Sequence, residues 1–381
     1  MGESNLEFYR HHLGQAEKES CLAVLDSLFH TTGSACARFE KEFARFLDVS
    51  QAVTTANCTL ALELVLRALG VGPGDEVITT PMTFIATVNA LLHVGATPVF
   101  VDVEPSTGNL DASLVEAAVT PRTKAILPVH LYGAMCDMRA LKALADHLGL
   151  WLVADCAHAV ESTRDGLTSA QGVDAACYSF YATKNLSCGE GGAVATDSAE
   201  LAERLRSLRL HGMSKGAADR YSGRYQHWDM VELGYKANLS DLQASLLLPQ
   251  LPGLLDRLTR REEIACAYQQ GLAELPGLEM PVTPTGREVR HGRHLFTIWV
   301  DRRDEFLTGL QERGIGVAVN YRAVHLLSYY RQRFGFKPGN FSVAERIGDT
   351  TLSLPFYSGL SDDEVQCVIR ATSEIAHALA D

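Results

Sequence analysis

Between residues 51 and 200 the chain repeats one rhythm, in which short apolar runs alternate with longer stretches of helical pattern. The runs that predict strands are Ala52–Thr55, Glu76–Thr79, Pro98–Val101, Ala125–Val129, Trp151–Ala154, Ala175–Ser179 and Ala193–Thr196. Helices are predicted between them at Thr59–Leu69, Phe84–His93, Asp111–Ala118 and Asp137–Leu148. Strand–helix alternation of this kind predicts a mostly parallel sheet covered by helices on both faces. Gly70-Val-Gly-Pro-Gly-Asp75 closes the first helix and turns the chain.

After Thr196 the rhythm changes. A helix is predicted at Ala199–Leu210, then a polar stretch from His211 to Met230 that reads as a loop longer than a passive connection. An apolar helical region follows from Leu239 to about Leu272, interrupted by Pro249 and Pro252. Near the C-terminus His294–Val300 and Ile315–Val319 read as strands and Asp304–Arg313 as a helix. Ser342-Val-Ala-Glu345 and Ser361-Asp-Asp-Glu364 each read as a capping box that opens a helix. The expected architecture is α/β, with seven strands between helices in a large domain (1–250) and a smaller C-terminal α/β domain (251–381). No internal repeat or low-complexity segment is visible.

Composition narrows the function classes. With 381 residues the chain can bury a large core without staples. A formal net charge of −12 argues against nucleic acid as a partner, since its binders usually carry a basic face. The nine cysteines are scattered without a C-x-x-C pair, which speaks against zinc and redox motifs and for reduced thiols, as in the cytoplasm. No stretch reaches the length of a membrane span.

Three features fall at ends of predicted strands, where open α/β sheets bind ligands. Asp155 closes the strand Trp151-Leu-Val-Ala-Asp155. A carboxylate there suits a helix N-cap, or a counter-ion that keeps a pyridine nitrogen protonated so that the ring can take up an electron pair. Lys184 lies in Ser179-Phe-Tyr-Ala-Thr-Lys184-Asn-Leu-Ser-Cys-Gly189-Glu-Gly-Gly192, a segment poor in charge and ending in a glycine cluster. A lone lysine would read as a surface residue; a partly desolvated one has a lowered pKa and serves as nucleophile and base. The serine before it and the glycines after it favour the second reading. Asn57-Cys58-Thr59 precedes a helix, where N–H groups and a hydroxyl suit a phosphate or form an ordinary N-cap.

These motifs, in this order, resemble the DegT/DnrJ/EryC1/StrS sugar aminotransferases, a fold-type I pyridoxal-phosphate group. The resemblance covers nearly the whole chain. It includes Thr31-Thr-Gly33, Asn57-Cys-Thr-Leu-Ala61, Gly72-Pro-Gly-Asp-Glu-Val77, Pro81-Met-Thr-Phe-Ile-Ala-Thr87, Asp155-Cys-Ala-His158, the Lys184 segment and Leu233-Gly-Tyr-Lys-Ala-Asn-Leu-Ser-Asp241. It implies that Lys184 carries pyridoxal 5′-phosphate as an imine and moves the substrate proton, and that Asp155 pairs with the pyridinium. It further implies His158 near the ring's phenolic oxygen, Ala157 and Phe84 on its two faces, and the Cys58 backbone, Thr59 and Ser179 on the phosphate. Asn238 would reach that phosphate from a second subunit, so that a homodimer shares its active sites.

Lys184-Asn-Leu-Ser-Cys188, Gly234-Tyr-Lys-Ala-Asn-Leu239 and Tyr321-Arg-Ala-Val-His325 are similar to the branch that aminates C4 of UDP-4-keto sugars, with L-glutamate as amino donor. That branch makes UDP-4-amino-4-deoxy-L-arabinose and related 4-amino sugars. Arg220, Asn320, Tyr321, Arg322 and His325 are the substrate candidates, the basic ones for a carboxylate or diphosphate. Asn320, Ala218 and Ala237 depart from that branch, at the expected place of a His, an aromatic residue and a Tyr, so the sugar stays open. Rivals are a C3 aminotransferase on the same fold, a dehydrase, against which Lys184 argues, and a regulatory protein that binds the cofactor without turnover.

Overall fold

The computed structural model describes residues 5–214 and 227–380. All seven predicted strands of the first half form, within two residues of the predicted ends, and join one sheet: β1 (Gln51–Thr55), β2 (Glu76–Thr79), β3 (Thr97–Phe100), β4 (Thr123–Leu127), β5 (Trp151–Asp155), β6 (Ala175–Ser179) and β7 (Gly192–Thr196). Their order is β1-β7-β6-β5-β4-β2-β3. Pairing is parallel from β3 through β6, and β7 alone runs antiparallel, to both β6 and β1. The central strands are near-continuous apolar runs because helices cover both of their faces. Leu152, Val153, Ala154, Ala175, Ala176 and Cys177 are fully buried.

Helix starts follow local chemistry. The Asn57 side chain accepts from Leu60 N at 2.9 Å and opens the helix Cys58–Ala68. Asp137 does the same for Met138–Leu148, which ends on Gly149 at φ 65°. The helical region after Leu239 breaks where its prolines remove backbone donors: Asp241–Leu247, a 3₁₀ turn over Leu248–Gln250, then Leu254–Gly271.

Two helices that the pattern reading did not place precede the sheet, Gln15–Leu25 and Ser34–Leu47. The second is functional scaffolding. Its Phe39 and Phe43 stack at 5.3 Å and meet Tyr178 and Phe180 edge-on, which fixes β6 and therefore Ser179.

In the C-terminal region three strands, Leu278–Glu279, Phe296–Val300 and Thr351–Leu354, form a small antiparallel sheet. Its apolar cluster includes Tyr268, Phe296, Ile298, Leu352 and, from the other end of the chain, Leu6. The predicted strand Ile315–Val319 does not form. Ile315 and Ala318 make only single bridges, to Leu6 and Ser353, because Gly316 N also turns to Leu6 O and no neighbour runs alongside long enough for a ladder. The capping box at Ser361 forms in both directions, between Ser361 and Glu364. The one at Ser342 does not: the helix Ser342–Thr350 starts after Phe341, and the Glu345 carboxylate is taken by Gly339 N, Phe341 N and His325. Of the long loop predicted over 211–230, the two described ends meet in a bridge between Met213 and Met230. No helix among the described residues is long and apolar enough to cross a membrane.

The antiparallel return of β7 brings Gly192 against the turn before the helix Cys58–Ala68. A Cβ on Gly192 would lie 2.5 Å from Asn57 C and 2.7 Å from Cys58 N, both backbone atoms that cannot swing aside. Gly192→Ala should therefore destabilise the fold by about 1–3 kcal/mol, read as a lowered urea midpoint. An unchanged midpoint would mean that the turn is free to move.

Candidate active site

The carboxyl ends of β1, β2, β4, β5 and β6 open on one cavity of about 630 Å³. The sequence-predicted residues Cys58, Thr59, Phe84, Asp155, Ala157, His158, Ser179, Lys184, Asn320 and Tyr321 all line it. Residues up to 263 positions apart thus converge at one sheet edge, between Cys58 and Tyr321.

Asp155 is buried at the floor. Its Oδ2 accepts from the Thr87 hydroxyl at 2.8 Å and its Oδ1 from Ala157 N at 3.0 Å. Burial pushes this carboxyl above its usual pKa, against the lowering effect of the two hydrogen bonds and of nearby Lys184. Among the described residues no cationic donor bonds its remaining lone pairs, and a protonated ring nitrogen would supply one. Thr87 was not singled out from sequence. Its hydroxyl in turn meets that of Thr83 at 2.8 Å, so Asp155 is held by a short relay from the loop after β2.

Lys184 follows β6 on a turn and is partly buried. Withdrawal of its amine from water lowers its pKa to about 8, with Asp155 and Cys58 pulling the other way. Near neutral pH a useful fraction of the amine is then unprotonated. The Gly189–Gly192 cluster has a packing role. At Gly191 and Gly192 it lets protein approach protein, since their Cβ positions face Cys188 Sγ and the Asn57–Cys58 backbone.

At the cradle, Asn57 spends its side chain on Leu60 N, and Cys58 and Thr59 open the helix with N–H groups that have no intrahelical partner. The Thr59 and Ser179 hydroxyls complete a neutral donor set suited to a phosphate. Above the floor, Phe84 is 53% exposed, an unusual state for a phenylalanine and one that leaves its ring free to stack. His158 accepts from Tyr132 N on Nδ1 at 3.2 Å, so its hydrogen sits on Nε2, 3.2 Å from the Tyr321 hydroxyl.

Other candidates lie elsewhere. Asn238 does not line this cavity; it bonds Thr31 Oγ1 at 2.8 Å and receives Lys236 Nζ. The expectation of a substrate contact at His325 is corrected: the residue is fully buried beside Phe341 and bonded to Glu345 at 2.9 Å. Arg322 is exposed and absent from the lining, while the residues that follow it, Ala323 to His325, turn into the core. Arg220 lies outside the described residues. Sequence reading missed Phe8, Tyr9, Thr183, Glu190, His294 and Phe356, which also line the cavity. Thr183 and Glu190 lie within the Lys184 segment, and the other four carry no local motif.

Comparison with known proteins shows the family. Residues 11–373 match the model of the DegT/DnrJ/EryC1/StrS aminotransferase family. The chain is 46% identical to the spore coat polysaccharide biosynthesis protein SpsC of Bacillus subtilis, over 95% of both chains. It superposes on S. venezuelae DesV, solved in complex with a ketimine intermediate, with a TM-score of 0.88 at 40% identity over 94% of both chains. It also superposes on Spr1654 of Streptococcus pneumoniae, described as a sugar aminotransferase and solved in its PMP form, with a TM-score of 0.93 at 31% identity over 98% of this chain and all of that one. The chain belongs to the DegT/DnrJ/EryC1/StrS aminotransferase family, and its cofactor is pyridoxal phosphate. The donor set fits that group, with a buried acceptor for the ring nitrogen, an amine for the aldehyde and hydroxyls at a helix N-terminus for the phosphate.

The lowered pKa of Lys184 sets a pH dependence. Only the neutral amine attacks an aldehyde, so cofactor attachment to the stripped protein should speed up about tenfold per pH unit below the pKa and level off above it. Stopped-flow absorbance should place the midpoint near pH 8. A rate that still climbs tenfold per unit well above that midpoint would mean that the amine is an ordinary solvated one.

Proposed function

We propose that this family member moves the amino group of L-glutamate to C4 of a nucleotide-linked 4-keto sugar, UDP being the nucleotide, in the synthesis of a surface polysaccharide. The observation that carries the reading is Lys184: an amine of lowered pKa at a cavity floor, beside a buried carboxylate and a phosphate cradle. The polysaccharide context is supported by the likeness to the spore coat protein. The C4 position is supported by the motifs around Lys184 and Gly234.

Pyridoxal phosphate supplies, when bound, an electrophilic carbon for amines and a ring that takes up the electron pair left by a departing proton. The chain's residues do the rest. Lys184 holds the cofactor between turnovers, then removes the α-proton of glutamate and later delivers a proton to the sugar carbon. Asp155 keeps the ring nitrogen protonated. The hydroxyls of Thr59 and Ser179 and the N–H of Cys58 anchor the phosphate, while Phe84 and Ala157 bracket the ring. Asn320 and Tyr321, from the C-terminal region, face the incoming sugar. Asn238 serves the site of a second subunit, in keeping with its position outside the cavity of its own chain.

The substrate reading is tested with the cofactor-loaded protein, glutamate and a panel of UDP- and dTDP-linked 3-keto and 4-keto sugars. The visible cofactor band should collapse with glutamate and return with a UDP-4-keto sugar, giving a 4-amino product by NMR. A 3-amino product would establish the C3 alternative. A band that glutamate leaves unchanged would favour a cofactor-binding protein without turnover.

Shared sites are tested by mixing variants. Asn238→Ala should lose cofactor on dilution, and Lys184→Ala should show no visible band. Mixed dimers of the two should regain one intact site, built from Lys184 of one chain and Asn238 of the other. Mixtures as inactive as their parents would refute the cross-subunit contact.

A further inference from the structure

His294 precedes the strand Phe296–Val300 and brings its ring beside Lys184, with Nε2 3.4 Å from Nζ. It is buried, and it packs on His158 with ring centroids 4.4 Å apart. Its other nitrogen, Nδ1, lies 3.4 Å from Asn185 Oδ1. Which nitrogen carries the hydrogen follows from the partners of Asn185.

The Asn185 Nδ2 donates to Gly292 O at 2.7 Å and to Glu161 Oε2 at 3.2 Å. Gly292 O is a backbone carbonyl and can only accept, and Glu161 is itself buried and ion-paired with buried Arg261. The amide nitrogen of Asn185 therefore faces Gly292 O and Glu161, and its oxygen faces His294. An oxygen there demands a hydrogen on Nδ1, which leaves the Nε2 lone pair directed at Lys184. Neighbouring His158 is set the opposite way, with its hydrogen on Nε2.

We propose that His294 is a positioning residue for Lys184: a tautomer-locked acceptor that holds the amine, through one N–H, whenever that amine is not bonded to the cofactor. Lys184 must be released and recaptured in each half-reaction, and a free lysine side chain has several rotamers. Both contacts in the relay are long, so their effect is directional more than energetic. The groups facing His294 are Lys184, His158 and Arg261. Burial, first, and then these neighbours keep its ring neutral, so it does not compete with Lys184 for the proton. The inference rests on Lys184 as the cofactor-bearing residue, a point that loss of the visible band in Lys184→Ala tests separately.

The first test needs no turnover. In cofactor-free protein labelled with ¹⁵N-histidine, the signal lost in His294→Gln should show hydrogen on Nδ1 and a bare Nε2. A protonated Nε2 overturns the proposal. The second is the pH profile of cofactor attachment. His294→Leu removes an acceptor for the ammonium form and should lower the midpoint by about one pH unit. Asn185→Leu, which unlocks the tautomer, should shift it the same way, and His294→Gln, which keeps an acceptor oxygen, should restore it. A midpoint that stays put in both leucine variants overturns the proposal, and the His294 signal of the unaltered protein is assigned from whichever of His294→Gln and His294→Leu folds.

Discussion

An amine and a carboxylate are withdrawn from water at the same edge of one sheet, and each is held by neutral partners instead of by the other. Asp155 leans on Thr87 and the Ala157 N–H, and Lys184 meets neutral His294. Direct pairing would keep the amine protonated and the carboxylate satisfied, and both would then be inert. Withholding that pairing costs stability, because a poorly compensated charge is shifted toward its neutral form. The fold meets this cost with the rigidity of the surrounding strands, and in exchange it keeps an amine ready to attack and an anion ready to accept a ring N–H.

The geometry that enforces this separation is topological. Asp155 ends β5 and Ser179 ends its hydrogen-bonded neighbour β6, while β7 returns antiparallel so that Gly192 presses on the cradle turn. Asp155 and Ser179 thus sit on strand ends, where their position is set by ladder hydrogen bonds, and Lys184 follows on the turn after β6. The aromatic contacts of Phe39 and Phe43 support β6 from below. This is why the sheet and its site were legible in sequence. Fully buried parallel strands need continuous apolar runs, and the chemistry-bearing residues interrupt those runs at their carboxyl ends.

Legibility falls away where contacts are made by residues distant in the chain. His325 offered a basic side chain in a motif, yet the surrounding Phe100, Phe336 and Phe341 and the Glu345 carboxylate absorb it into structure. The same carboxylate was expected to form a capping box with Ser342, and a backbone turn at Gly339–Phe341 captured it first. Local spacing announces that a polar group needs partners without saying which partners tertiary packing will bring. His294 is the converse case. It lies in no recognisable motif, and its importance depends on Asn185, Glu161 and Arg261, which come from three other places in the chain.

The cavity accordingly has two parts with different origins. Its floor comes from the sheet and carries the groups that any reaction of this cofactor requires. Its mouth comes from Phe8 and Tyr9, from His294 to Tyr321, and from Phe356, segments joined to the small sheet and its apolar cluster. A change of substrate has to act at the mouth, because a change at the floor would disturb Asp155 and Lys184. Asn320 and Tyr321 are where this division becomes concrete. The Asn320 carbonyl is fixed by the Tyr132 and Thr351 hydroxyls and Tyr321 is fixed by His158, so the backbone at the mouth is anchored while the Asn320 side-chain oxygen has no protein partner among the described residues. This anchored stretch is also where the chain departs from the branch it otherwise resembles, at Asn320, so the difference lies at the mouth and leaves Asp155 and Lys184 untouched.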